Sequence, residues 1–158
     1  MNLIPRCKGV YLLVMVPKSD SIARIGRSGI EIDLRPDTLL IYVGSAMGPG
    51  GLRARIRRHL TRSGKKLYWH IDYLTSRPDI DIGYILYACT THKEAEKDLA
   101  ERCSRILEKG PHGFGSGDDP YNRTHLFVYR GDPIILVENL LPGCFRDLGL
   151  FYVLLEEK

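Results

Sequence analysis

Two tyrosines, an arginine and a histidine fall at spacings suited to proton transfer and anion binding. Tyr11 closes the tripeptide Gly9-Val10-Tyr11, and Tyr42 opens Tyr42-Val43-Gly44. Both tripeptides sit in runs with strand character, where residues two apart share a face. Gly9 therefore points with Tyr11, and Gly44 with Tyr42. If the two strands pair, a glycine leaves room beside each ring and the phenols meet at one end. Tyrosine is also simply a favoured strand residue, so the tripeptides gain weight from the helix downstream of them. Arg55 and His59 lie four residues apart, on one face of that helix. A guanidinium clamps phosphate through two parallel hydrogen bonds, and an imidazole passes protons near neutral pH. Immediately upstream, Gly48-Pro49-Gly50-Gly51 makes a turn that frees amides at the helix N-terminus, a docking place for an anion.

Around this pair the charge is concentrated. The net charge is only +4, yet Arg53, Arg55, Arg57, Arg58, His59, Arg62, Lys65 and Lys66 occupy one short stretch. Such a patch is an electrostatic footprint for phosphate, although a basic helix face also serves plain solvation. Arg53, Arg58, Arg62, Lys65 and Lys66 are the candidate nucleic-acid contacts.

The elements that must hold these side chains are legible from periodicity. Residues 9–16 read as a strand and 38–44 as a second. Between them, 17–35 is a polar excursion with a short strand near 30–32. Residues 52–62 form a helix whose Leu52, Ile56 and Leu60 recur every fourth position and face the core. Arg55 and His59 then emerge at the edge of that core. A short helix or turn spans 69–74, a third strand 80–88, and a second long helix 93–109 with Leu99, Cys103, Ile106 and Leu107 as its apolar stripe. A Gly/Asp loop, 110–122, precedes strands at 125–129 and 134–137, and 151–155 suggests another. Strands, helix, strand, helix and strands together give an α+β fold: a small central antiparallel or mixed sheet flanked by helices.

A chain of 158 residues is long enough to bury a core as one domain, 1–158. No apolar run approaches the roughly 18–20 residues that span a bilayer, so no membrane partner is expected. The first eight residues lack the apolar middle of a signal peptide, which points to a cytoplasmic protein. Cys7, Cys89, Cys103 and Cys144 are scattered, with no CxxC pair. They read as reduced thiols, mostly in the core, unless two of them pair as in the cytosol of thermophiles.

The order Gly9-Val10-Tyr11, Tyr42-Val43-Gly44 and Arg55-Ile56-Arg57-Arg58-His59 resembles the GIY-YIG nuclease superfamily. More closely, the chain resembles its DUF123 branch, also found fused to endonuclease III-like repair proteins. The stretch from Tyr42 to Arg55 is close to that branch's hallmark; Trp69-His70-Ile71-Asp72-Tyr73-Leu74 is a second, and Gly113-Phe114-Gly115 with Thr124-His125-Leu126 a third. The resemblance covers about residues 8–130. It leaves residues 131–158 as a C-terminal extension whose Phe145, Leu148, Leu150 and Phe151 add core or a homodimer surface.

The resemblance implies a GIY-YIG-like sheet with an inserted segment, and a metal-dependent endonuclease acting on DNA, in repair or recombination. The alternative is a nucleic-acid-binding module that kept the scaffold without turnover. By resemblance, Tyr11 activates or orients the attacking water, Tyr42 supports it and Arg55 holds the scissile phosphate. His59 and His70 stand where homing-type members use histidines. Glu96 is the best match to the helix glutamate that binds one divalent cation, Mg²⁺ or Mn²⁺, ahead of Glu94 and Glu101. A DNA-repair protein is the implied partner. Members of the branch often carry a Cys-x-Cys pair after Gly-Phe-Gly; here Asp118-Asp119-Pro120-Tyr121-Asn122 stands there instead. Asp118, Asp119 and His125 could hold a metal, but a turn explains the aspartate pair more simply.

Overall fold

The computed structural model describes residues 3–157. Its central strand is β1 (Gly9–Pro17), a run without a charged residue. It pairs antiparallel with β4 (Leu39–Ala46) on one side and β5 (Ile80–Cys89) on the other. Outside β4 lie β7 (Leu126–Tyr129) and then the two-residue β6 (Glu108–Lys109); outside β5 lies β8 (Val153–Glu156). The sheet thus has six strands in the order β6-β7-β4-β1-β5-β8. A separate hairpin, β2 (Ser21–Arg24) with β3 (Glu31–Leu34), fills the excursion between β1 and β4. The fold is α+β, as expected.

Both faces of the sheet are covered, which is why β1 is apolar at nearly every position instead of alternating. Tyr11, Leu13 and Met15 enter one core, with Leu52 and Ile56 of α1 (Gly51–Leu60) and Leu74 of α2 (Asp72–Thr75). Val10, Leu12 and Val14 enter the other, with Leu99, Ala100 and Cys103 of α3 (Ala95–Ile106) and Phe145 of α5 (Leu141–Asp147). Of the stripe read on α3, Ile106 is exposed because the helix ends there and the chain turns extended at Leu107.

Two expectations need correction, and one is met with an addition. The strand expected at 134–137 is helical: α4 (Pro133–Ile135) runs through a π-helical turn (Leu136–Leu140) into α5. Asp132 caps it, its side chain accepting the Ile134 N–H at 2.9 Å, and Pro133 occupies the first turn. This cap-and-proline start outweighs the strand preference of the branched residues. In the excursion, the strand near residues 30–32 belongs to a hairpin whose other arm, β2, has no signal among the polar residues around it. Finally, Cys7 and Cys89 are not reduced thiols. They form a disulfide across 82 residues with Cα atoms 5.7 Å apart, while Cys103 and Cys144 are free and buried. No described helix is long and apolar enough to cross a membrane. In the C-terminal segment Phe145 is buried, Leu148 and Leu150 pack against the second core, and Phe151 is exposed.

Candidate functional site

The strand register sets the geometry from below. Tyr11 faces Gly44 across the β1–β4 ladder, and Leu13 faces Tyr42. A Cβ at Gly44 would stand 2.5 Å from the Tyr11 hydroxyl, so glycine is required for that ring to lie flat on β4. Gly9 has a different task. A Cβ there would strike the Ala88 carbonyl and the Leu52 side chain, so Gly9 lets α1 approach the sheet. Room beside Tyr42 comes instead from Gly115, in the loop before β7, at a φ of 65° that suits glycine. The two phenol rings meet, as expected, with centroids 6.4 Å apart.

Helix α1 adds the next side chains. Its N-terminus is held by the segment before β1: Leu52 N–H donates to Cys7 O and Arg53 N–H to Pro5 O. His59 is buried against both tyrosines, its Nε2 2.6 Å from the Tyr11 hydroxyl. Burial, assisted by Lys65 and Arg55, lowers its pKa to about 3, so the ring is neutral near pH 7. Its Nδ1 has no hydrogen-bond partner. Tyr11 is fully buried, and its pKa is raised by burial and by Tyr42, with Arg55 opposing. Tyr42 is likewise raised by burial and by Glu96, against Arg55. Tyr11 and His59 therefore form an inner layer beneath Tyr42.

Tyr42 itself lines a pocket of about 360 Å³ together with Tyr68, Trp69, His70, Lys93 and Glu96. Arg55 stands at its margin, its guanidinium carbon 4.3 Å from the Trp69 ring centre. His70 accepts a hydrogen bond at Nδ1 from Gly115 N–H, 3.0 Å, which leaves the proton on Nε2. Glu96 comes from the first turn of α3, in the opposite layer. It lines the pocket beside the start of β7, whose first residue, Leu126, lies opposite Tyr42, and Val43 N–H donates to His125 O just beyond.

Glu96 is supported from behind. Its Oε2 lies 2.8 Å from His125 Nδ1, an ion-pair contact too bent to count as a good hydrogen bond. The other nitrogen of His125 lies 2.7 Å from Asp119. Burial pushes the His125 pKa down, but Glu96 and Asp119 outweigh it and hold it above the usual value. Asp119 also accepts from the backbone N–H of Tyr121 and Asn122 and from the Asn122 amide. That is the turn read from the sequence, so Asp119 is committed to its own loop. Among the described residues no three His, Cys, Asp or Glu side chains are arranged to hold a metal ion. Glu96 alone still fits a hard cation such as Mg²⁺, which needs one or two carboxylates and takes water and phosphate for the rest.

The basic stretch divides by partner. Arg58 donates to the buried Asp72 at 2.7 Å and to Lys66 O. Arg62 donates to Ile80 O and Asp81, Arg53 to Ile4 O, and Lys65 to Arg58 O and Thr75. Burial lowers the Lys65 pKa. Arg57 and Lys66 are exposed. Four of the five candidate contacts are thus tied to the protein itself. What sequence reasoning missed is the wall of the pocket: Tyr68 and Trp69, Lys93, and His125 as the support of Glu96. The adjacent Tyr-Trp pair between two lysines and a short helix was the available signal for the first.

Residues 10–144 match the model of a protein family described as a domain of unknown function, DUF123. No curated protein matches the chain, and no solved structure does. The family match takes in every residue of the pocket and both layers of the sheet, and it continues past Gly131 through the helical segment as far as Cys144. The chain belongs to the DUF123 family.

Proposed function

We propose that this DUF123 domain is a metal-dependent endonuclease of the GIY-YIG type, hydrolysing phosphodiesters of DNA in repair or recombination. The observation that carries the reading is the meeting of Tyr42, His70 and Glu96 around one pocket with Arg55 at its margin. These side chains come from a strand, a loop and two helices in separate parts of the chain. Hydrolysis needs an oriented water, neutralised phosphate charge and a stabilised leaving oxygen. Arg55 supplies fixed positive charge for the phosphate oxygens. A divalent cation held at Glu96 supplies charge stabilisation to the departing oxygen. His125 holds Glu96 toward the pocket, and His70 offers an Nε2–H as a donor.

The tyrosines take unequal parts. Tyr42 lines the pocket and is placed to orient water; Tyr11, one layer down, positions Tyr42 and His59. Both phenols keep their protons at neutral pH in the ligand-free protein, since burial raises both. Deprotonating Tyr42 requires more positive charge beside it than Arg55 alone provides. The same observation favours the second reading, a nucleic-acid-binding module without turnover. A cleavage screen separates them: duplex, flap, four-way junction and single-stranded DNA, with Mg²⁺ or Mn²⁺ and with chelator. Metal-dependent products support the enzyme. Binding without products on any substrate supports the second reading.

A further inference from the structure

The pocket has an aromatic rim that phosphodiester chemistry does not require. Tyr68 is 72% exposed and Trp69 38% exposed, side by side and edge to face with centroids 5.4 Å apart. Leu67 beside them is also exposed. Large apolar rings in water are a cost unless something covers them. Their backbone is also anchored. Asp72 Oδ2 accepts the backbone N–H of Tyr68 and of Trp69, each at 2.9 Å, and the Arg58 guanidinium at 2.7 Å. The Asp72 side chain is fully buried. Burial alone would raise its pKa, but the Trp69 and Tyr68 amides and Arg58 hold it below the usual carboxylate range. The backbone that carries the two exposed rings is thus tied to a buried, charged anchor.

We infer that the pocket receives a nucleobase swung out of helical stacking, from single-stranded or locally unpaired nucleic acid, and stacks it on the exposed face of Tyr68, with Trp69 at right angles beside it. The inference rests on the nucleic-acid reading of the site and names its substrate class. Every base has a π-face, so an aromatic platform takes bases regardless of sequence. At about 360 Å³ the pocket lies at the small end of the usual range for ligand pockets, on the scale of one nucleotide rather than a base pair. Its charge suits the phosphate that comes with the base: Arg55 stands over Trp69, and Lys93 and Lys97 line the wall. A base on the platform brings its own backbone toward Arg55 and Glu96. An intact duplex keeps its bases inside the stack and cannot use the rim.

Trp69 is the only tryptophan in the chain, so intrinsic fluorescence reads the rim directly. The full chain is titrated, in chelator, with a thymidine oligonucleotide, an abasic strand of equal length and a duplex of equal length. The expected result is quenching of Trp69 by the thymidine strand, with little change from the abasic strand or the duplex. Tyr68→Ala, checked for unchanged melting, is expected to lower affinity for the thymidine strand roughly 5- to 150-fold, the equivalent of the ~1–3 kcal/mol of one stacked base. The loss for the abasic strand should be severalfold smaller. Equal binding of all three ligands with no fluorescence change overturns this inference and leaves the nucleic-acid reading standing. Binding of none of them overturns both.

Discussion

At the scale of single residues, the site depends on buried polar groups whose surroundings set their charge. His59 is the clearest case. Its folded pKa of about 3 lies far below the ordinary ~6.5. Between these values the unfolded chain binds a proton that the native ring refuses, so stability rises with pH across that window and is lost as pH falls through it. We expect His59→Gln to flatten the acid limb of a stability-against-pH curve, by up to ~1.4 kcal/mol per pH unit, one proton's worth. An unchanged acid limb would place the titrating group elsewhere. Arg58 makes a second case. It looks like a phosphate contact in the sequence, but it is the partner of a buried carboxylate. Arg58→Ala should therefore destabilise the fold by about 2 kcal/mol or more in chemical denaturation, since it leaves Asp72 with an unmet charge. A variant as stable as the parent would release Arg58 for ligand binding. The sequence could not separate these roles, because an arginine on a helix looks the same whether its partner is a phosphate or an aspartate fourteen residues on.

Among the elements, what was legible came from local pattern, and what was not came from long-range pairing. The fourfold spacing of Leu52, Ile56 and Leu60 located α1 and put Arg55 and His59 on the face they occupy. That a glycine would leave room beside a tyrosine was readable, but which glycine was not: the register puts Gly44 across from Tyr11. The role of Gly9 was not readable either: its neighbours are Leu52 and Ala88 O, and no strand pattern shows where a helix or a second strand will press. The helical segment after Asp132 has the branched residues of a strand, and only Asp-Pro ahead of them marks a helix start. The disulfide was invisible because Cys7 and Cys89 are 82 residues apart and meet only when β1 and β5 pair, with Gly9 opposite Cys89. That bond anchors the segment that caps α1. Cys7→Ser with Cys89→Ser should lower stability by about 2–4 kcal/mol. It should also speed hydrogen exchange at the Leu52 and Arg53 amides, which donate to Cys7 O and Pro5 O. Unchanged exchange at those two amides would show that the segment is held without the bond.

On the scale of the whole molecule, the sheet is a partition between two cores, and the pocket forms where that partition ends. Helix α1 serves the site from one layer and α3 from the other, and they meet beside the point where the β4–β7 ladder begins, at Tyr42. Convergence of Tyr11, Tyr42, Arg55, His59 and Glu96 on one concave surface is what their order and facing along the chain suggest. What the order could not give was depth: Tyr11 and His59 lie beneath the pocket floor, and Tyr42, His70 and Glu96 face the opening. Glu96 is therefore the residue whose charge bears most directly on the proposed chemistry. Glu96→Gln keeps its size and its place on the helix. The decisive measurement is the single-turnover cleavage rate of wild type and Glu96→Gln on the best substrate of the screen, in saturating Mg²⁺, with DNA affinity measured alongside in chelator. The account expects affinity within about twofold, since the cations supply it, and a rate at least roughly a hundredfold lower, the loss of about 3 kcal/mol of transition-state stabilisation. Equal rates for the two proteins would contradict it.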